Sequence, residues 1–238
     1  MMNTLLSILM FMTGMIGLAV SVILVCKKEN LHKNLFLSLC LFALAVSNIY
    51  NFYILQEKNY DFPKIVMVLK SLPFLVAPCA YLYIRNSVFV SDKFKKHDWI
   101  HFIPLIVSIT YLTIYLSKSL YSNFWVLDVF LFNIDFYTFN ISLSLLWLLY
   151  AYTQSITVLN INKISNSNNL NKIQIKWLKS FSIIILSLFT AVLLQKVAGS
   201  RQTEFGLLIN FITCSVLILA GLVLFIKPVA LFGETSPF

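Results

Sequence analysis

Two histidines four residues apart are the first candidates for chemistry in this sequence. His97 and His101 would share one face of a helix, a spacing that metal ligands sometimes use. A catalytic zinc ion normally has three protein ligands, and the remaining histidine, His32, belongs to a different predicted loop. The four cysteines show no CxxC spacing and are typical of buried apolar packing. We therefore expect no metal site.

Acidic residues are the second class of candidates, because proton- and sodium-coupled carriers use carboxylates inside the membrane. Such a carboxylate costs at least about 2.5–3.5 kcal/mol at the bilayer centre. All nine acids of this sequence fall in predicted loops or at helix ends. The chain also has no GxSxG motif and no phosphate-binding glycine loop. We expect no ion coupling, no catalytic residue and no cofactor, and therefore no enzyme.

Uncharged polar residues at helical spacing are the third class. In the fifth apolar segment Asn140, Ser144, Trp147, Ala151 and Gln154 recur at steps of four, three, four and three. These steps place the five residues on one stripe of a helix. The stripe gives the segment a polar face inside an apolar environment.

Further polar residues lie in three other segments. Asn48 and Asn51 belong to the second, Tyr81 to the third and Asn210 to the seventh. One interpretation is helix packing, in which an interhelical hydrogen bond contributes about 0.6 kcal/mol on average. The other is an outward-facing cavity for an uncharged or amphipathic ligand. The residues proposed to line this cavity are Asn48, Asn51, Tyr81, Asn140, Trp147, Gln154 and Asn210.

The elements that must position these residues are membrane-spanning helices. Of the 238 residues, 59% are hydrophobic and 11% are charged, against about 25% charged residues in a soluble domain. A spanning helix needs about 20 mostly apolar residues. Seven windows meet this requirement: 4–26, 34–55, 67–90, 99–117, 137–159, 177–197 and 205–227. We predict an all-α, polytopic membrane protein with one seven-helix domain, 1–227, and a short tail, 228–238.

The basic residues orient these helices. Twelve of the 18 Lys and Arg residues fall in loops and the tail on one predicted side, and six on the other. Because cytoplasmic loops carry the excess of positive charge, the N-terminus is predicted outside and the C-terminus in the cytoplasm. Trp99 and Trp177 begin the fourth and sixth spans beside basic residues, and we interpret them as interfacial membrane anchors. The predicted location is the inner membrane of a bacterium.

The stretch PFLVAPCAYLYIRN contains two prolines, Pro73 and Pro78, within the predicted third span. Proline removes a backbone hydrogen bond and crowds the preceding turn, so we predict a helix bend there. Arg85 falls near the cytoplasmic boundary, where it can anchor the span by reaching the headgroups. The alternative for Arg85 is a salt bridge to Asp92 or Asp98. With Pro228 after the last span, Pro78 is also a candidate pivot for helix motion.

Three short segments carry a family resemblance. PCAYLYIRN (78–86), DWIHFIPLIV (98–107) and FIKPVALFG (225–233) resemble, in order and spacing, the membrane-embedded N-terminal region of Bacteroidetes-type regulators that end in an AraC-type helix-turn-helix domain. The resemblance implies a membrane sensor that relays a ligand or envelope signal to a cytoplasmic output domain. The runner-up interpretation is a small permease or channel component.

The resemblance covers the membrane-embedded region and does not include an output domain. Eleven residues follow Lys227, so we expect a truncated or split regulator, or one that works through a separate partner. We expect no direct binding of nucleic acid by these residues. The expected partners are the lipid bilayer, a small or amphipathic ligand, and a cytoplasmic output domain or partner protein, with a homodimer as a further candidate assembly.

Overall fold

The fold is helical throughout the part of the chain that the structure describes. The computed structural model describes residues 2–26, 31–56, 71–89, 96–118, 136–160, 171–197 and 202–226. Within these ranges the α-helices are α1 (Met2–Cys26), α2 (Leu31–Gln56), α3 (Val76–Phe89), α4 (Ile103–Lys118), α5 (Phe136–Leu159), α6 (Lys172–Val197) and α7 (Gln202–Ile226). A 3-10 turn at 71–75 precedes α3, and the 3-10 helix Lys96–Phe102 precedes α4. The predicted all-α fold is confirmed for these residues.

Within the described residues, five helices are long and apolar enough to cross a membrane. Their qualifying stretches are Leu5–Cys26, Lys33–Tyr53, Ile141–Leu159, Lys172–Val197 and Gly206–Ile226. They agree within a few residues with five of the seven predicted windows. The helices α3 and α4 are shorter, with 14 and 16 residues, and part of the predicted third span, 67–70 and 90, lies outside the described residues.

Six of the helices form a closed ring around an apolar core. Following the contacts around the ring gives the order α1, α2, α3, α5, α6 and α7, with α7 returning to α1. The core includes large, fully buried side chains from opposite parts of the ring, such as Phe36, Tyr83 and Phe181. The helix α4 lies outside this ring and packs against the 3-10 helix that precedes it. Ser108 of α4 also donates a hydrogen bond to Ser71, at 3.4 Å.

Contacts between side chains fix the relative directions of neighbouring helices. Ser38 of α2 bonds to the carbonyl of Ser21 of α1, and Asn48 bonds to Thr13, so α1 and α2 are antiparallel. Thr13 of α1 meets Cys214 of α7, while Gly17, one turn further along α1, faces Leu217, one turn further along α7. The helices α1 and α7 are therefore parallel.

Glycine allows α1 to approach its two neighbours closely. A Cβ atom on Gly14 would lie 2.6 Å from Cγ1 of Ile49 in α2, and one on Gly17 would lie 2.7 Å from Cδ2 of Leu217 in α7. Apolar lipid tails give helices little hydrophobic reason to associate, so such close packing is a main source of attraction in a bilayer. The α1 interfaces therefore depend on these two small residues.

The starts of α3 and α6 follow from their local sequences. Pro78 is the third residue of α3, where a helix has no internal partner for the missing N–H, so proline is tolerated. Pro73 lies in the 3-10 turn, and the change to the α-helix falls between the two prolines. At α6, Asn171 Oδ1 accepts from the Ile173 N–H and Gln174 Oε1 accepts from the Asn171 N–H, both at 3.3 Å. This reciprocal pairing is a capping box.

Candidate functional site

An ion pair joins α3 to the 3-10 helix that leads into α4. Arg85 donates from Nη1 to Asp98 Oδ1 at 2.5 Å and from Nη2 to Asp98 Oδ2 at 2.7 Å. The side chains of Arg85 and Asp98 are 15% and 2% exposed. Of the alternatives considered for Arg85, the structure shows the salt bridge to Asp98, whereas Asp92 lies outside the described residues.

The surroundings of the pair use most of the remaining hydrogen-bonding capacity of the guanidinium. Asn86 Oδ1 accepts from Nε of Arg85 at 3.3 Å and from Nη2 at 3.1 Å. A bidentate guanidinium–carboxylate pair is strong and directional, and a buried charge left without its partner is strongly destabilising. The pair therefore holds the 3-10 helix against α3 and leaves this part of the site without net charge.

A second polar contact holds the same 3-10 helix against α5. His101 Nδ1 and the Tyr150 hydroxyl are 2.7 Å apart. The ring of Tyr81, on α3, lies 5.4 Å from the His101 ring and 5.7 Å from the Tyr150 ring, measured between centroids. The 3-10 helix is thus attached to both α3 and α5, and Tyr81 is part of a three-ring cluster between them.

The helices α3 and α5 run in the same direction at this site. Phe74, just before α3, packs on Trp147 with ring centroids 4.7 Å apart, and further along both helices Tyr81 meets Tyr150. Gln154 lies four residues beyond Tyr150, and Asn86 lies five beyond Tyr81. At 1.5 Å per residue, both amides are about 6–8 Å past the tyrosine contact. This count along the two helices places them at a similar level of the bundle.

The helix α6 completes this end of the site and runs antiparallel to α5. Trp147 packs on Phe189, and two turns later the hydroxyls of Ser155 and Ser182 are 3.0 Å apart. The level of Gln154 on α5 is therefore that of Ser182 on α6.

Trp177, predicted as a membrane anchor, is buried in the α3–α6 interface. Its side chain is 5% exposed. The indole Nε1 donates to the Tyr83 hydroxyl at 2.8 Å, and the Trp177 and Tyr83 rings both pack on Phe181. By contrast, Trp99 is 67% exposed, as an anchor facing lipid headgroups would be.

Three buried side chains of the site have polar atoms without a hydrogen-bond partner in the described part of the chain. Gln154 is 0% exposed, and neither Oε1 nor Nε2 of its amide is paired. Nδ2 of Asn86 and Nε1 of Trp147 are also unpaired. Most buried polar groups in proteins are hydrogen bonded, and an unsatisfied one destabilises the fold by about 1–3 kcal/mol. Donors and acceptors left unpaired in this way are available to water or to a polar ligand.

The other amides predicted to line a cavity form a separate network between α1, α2 and α7. Asn48 Nδ2 donates to Thr13 Oγ1 at 3.1 Å, and Thr213 Oγ1 donates to Asn48 Oδ1 at 2.8 Å. One turn along α2, Asn51 Nδ2 donates to Asn210 Oδ1 at 3.0 Å. Both atoms of the Asn48 amide are thus paired within the protein. The structure brings Asn48, Asn51 and Asn210 together, but away from Trp147 and Gln154.

Two predicted residues cannot be assigned to either group. Asn140 is the fifth residue of α5, but its side chain is outside the described part of the structure, and Pro228 lies outside the described residues altogether. Among the described residues, no group of three or more His, Cys, Asp or Glu side chains is arranged to hold a metal ion.

Sequence reasoning missed Asn86, Tyr83 and Tyr150 as members of the site. Asn86 gave a signal, because it follows Arg85 directly and is followed by Ser87 inside an otherwise apolar segment. Tyr150 gave a weaker one, since it flanks the predicted polar stripe of α5 without belonging to it. Tyr83 gave none, because a tyrosine in an apolar helix is also typical of ordinary core packing.

Comparison with known proteins finds no match to this chain among family models, curated proteins or solved structures. Functional inference therefore rests on the contacts of the chain itself. The resemblance to membrane-embedded regulators stays a prediction.

Proposed function

We propose that this chain is a signal-sensing domain in the inner membrane of a bacterium, which passes a ligand or envelope signal to a cytoplasmic output domain. The observation that carries the proposal is the fully buried, unpaired amide of Gln154 at the end of the bundle where the 3-10 helix Lys96–Phe102 is attached. A ligand that pairs with this amide would lie beside the contacts that join α5 to that 3-10 helix. Binding would thus act on the 3-10 helix that leads into α4.

The proposal includes seven membrane spans, with the N-terminus outside. Support comes from helix direction: α3 and α5 are parallel, so the chain must return between them, as it would if α4 crossed the membrane. The parallel pair α1 and α7 agrees with an odd number of crossings. The excess of Lys and Arg on one predicted side supports a cytoplasmic position for the Arg85–Asp98 end. A ligand at Gln154 would then lie in the cytoplasmic half of the bundle, not in the outward-facing cavity that the sequence predicted.

The charge distribution at the site favours sensing over ion-coupled transport. Asp98 is buried, but its carboxylate is paired with Arg85. A carboxylate that takes up and releases a coupling ion would have to lose this bidentate partner in each cycle, which leaves an arginine charge buried. The pair is better suited to holding an element in place.

The experiment that tests the function is a reporter fusion. The output domain of an AraC-type regulator is joined after Phe238, and reporter expression is compared between the wild-type chain and Gln154→Met. We expect an altered signal with unchanged membrane insertion. The matched control is Asn51→Leu, in the separate network, for which we expect a signal close to wild type. Equal signals from all three chains would contradict the sensor proposal.

A small permease or channel component is the second candidate function. It is favoured by one observation: unpaired polar atoms of Trp147 and Gln154 lie two turns apart on one face of α5, and a hydrated path would pair both. Solute flux into vesicles reconstituted with the chain tests this candidate. Flux that Gln154→Met reduces would favour transport over sensing.

A further inference from the structure

The amides of Asn86 and Gln154 define the hydrogen-bonding pattern that a ligand must match. Asn86 Nδ2 and Gln154 Nε2 are donors, and Gln154 Oε1 is an acceptor, and none of these atoms has a partner within the described ranges. Asn86 Oδ1 is already occupied by Arg85, which fixes Nδ2 as the free end. A matching group must accept N–H bonds and also donate one.

A carboxamide matches this pattern on a single planar group. Its carbonyl oxygen has two lone pairs and can accept from both amide nitrogens, while its N–H donates to Gln154 Oε1. An ionised carboxylate can only accept, and an ammonium can only donate. Each of them would leave part of the Gln154 amide unpaired.

The charge balance of the site also selects against ions. Arg85 and Asp98 neutralise each other through two hydrogen bonds. An additional charge at this buried level would have to be desolvated without a counterion, which is strongly unfavourable. The ligand is therefore expected to be uncharged.

The side chains above Gln154 on the same face are suited to an apolar tail. Ala151, one turn earlier on α5, is buried and small, and Trp147, another turn earlier, is 8% exposed and packs against Phe74 and Phe189. A polar head at Gln154 thus continues towards an aromatic region of the bundle, in which the Trp147 Nε1 donor is also unpaired.

We infer that the level of Asn86 and Gln154 is a binding site for an uncharged amphipathic molecule whose polar head is a carboxamide. The inference deepens the proposed function and rests on it, because it names the chemical class of the sensed ligand. The Gln154 amide pairs with the ligand head, Asn86 donates to its carbonyl, and the apolar tail lies towards Trp147.

The test observes the Gln154 side-chain amide directly. The full chain, labelled with nitrogen-15, is placed in lipid nanodiscs, and the Gln154 NH₂ signal is identified by its loss in Gln154→Met or, if that variant does not fold, in Gln154→Leu. Butyramide, butyrate, butylammonium and 1-butanol are then titrated separately. The Asn51 amide, assigned in the same way with Asn51→Leu, is the internal control.

The expected result is a saturable shift of the Gln154 signal with butyramide, no such shift at Asn51, and no saturable shift with either charged probe. The melting temperature of the wild-type chain should also rise with butyramide, whereas that of Gln154→Met should not. A response to 1-butanol but not to butyramide would overturn the carboxamide assignment. Magnetisation exchange with water at Gln154 and no response to any probe would show a hydrated amide only and overturn the site.

The two experiments separate the inference from the function. If butyramide binds at Gln154 but the reporter fusion is insensitive to Gln154→Met, the carboxamide site stands and the sensor proposal fails. If the reporter responds to Gln154→Met but butyramide does not bind, the sensor proposal stands and the ligand class is wrong.

Discussion

Asn48 and Gln154 are both amides buried completely inside apolar helices, but their surroundings differ. Every polar atom of the Asn48 amide is paired with α1 or α7, whereas no described residue pairs with Gln154. A satisfied amide stabilises the contact between its helices, and an unsatisfied one weakens the fold unless something else binds it. The comparison separates a structural region, α1–α2–α7, from the region that holds the proposed site, α3–α5–α6, which we call the functional region.

The two regions also differ in how they are held together. The structural region relies on close backbone approach at Gly14 and Gly17 and on neutral hydrogen bonds. The functional region relies on the Arg85–Asp98 pair and on large aromatic rings. Variants in the two regions should therefore differ in how strongly they change stability.

Breaking the ion pair should destabilise the protein most. Arg85→Met leaves the Asp98 carboxylate buried without its partner, and we expect a loss of about 3–5 kcal/mol in the free energy of unfolding. The double variant Arg85→Met/Asp98→Leu removes both charges and should recover most of this loss. Thermal unfolding of the purified chain in detergent measures both. A double variant that is less stable than the single one would contradict a role centred on charge pairing.

Crowding α1 should have the next largest effect. A methyl group on Gly17 meets Leu217 Cδ2 at 2.7 Å and Ala45 Cβ at 2.9 Å, so Gly17→Ala should lower stability by about 1–3 kcal/mol through overpacking. The matched control is Gly206→Ala, whose nearest contact is the flexible end of Gln195 at 3.1 Å. The control is expected to unfold near the wild-type temperature. An equal loss of stability in both variants would show a general effect of replacing glycine in a helix, and not a specific clash at the α1 interface.

Removing Asn48 from the hydrogen-bond network between α1, α2 and α7 should have a smaller effect on stability. Asn48→Leu keeps the side-chain shape but removes the partner of Thr213 and Thr13, each of which retains a backbone carbonyl as an acceptor. We expect a loss of about 1 kcal/mol, close to that of an ordinary interhelical hydrogen bond. Unfolding temperature in detergent checks this value. A gain in stability would mean that the network is not structural.

The helical fold and five of the apolar segments could be predicted from the sequence, because a long apolar run reports a membrane-length helix directly. The windows 4–26 and 205–227 agree closely with α1 and α7. The division of the buried polar residues into a paired group and an unpaired group could not be predicted. Helical spacing shows that Asn48 and Gln154 each lie on a polar stripe, but whether an amide is paired depends on which helix packs against it. The pairing of Asn48 with α7 joins residues 165 apart in sequence.

The role of Arg85 could not be decided from the sequence either. The two residues are 13 positions apart in sequence, so a salt bridge was predicted only as an alternative to anchoring. The choice depends on the 3-10 helix folding back on α3, which is a tertiary contact. The spacing of residues along one helix does not show whether another element folds back onto that helix.

The sign of the stability change in Gln154→Met tests the central claim most directly. Methionine has a similar length and no hydrogen-bonding requirement, so removal of an unsatisfied amide should raise the unfolding free energy of the purified, ligand-free chain by about 1 kcal/mol. The measurement is thermal unfolding in detergent beside Asn48→Leu, which is expected to change in the opposite direction. A loss of stability in Gln154→Met similar to that in Asn48→Leu would show that Gln154 is structural, and would contradict the division of the bundle into two regions.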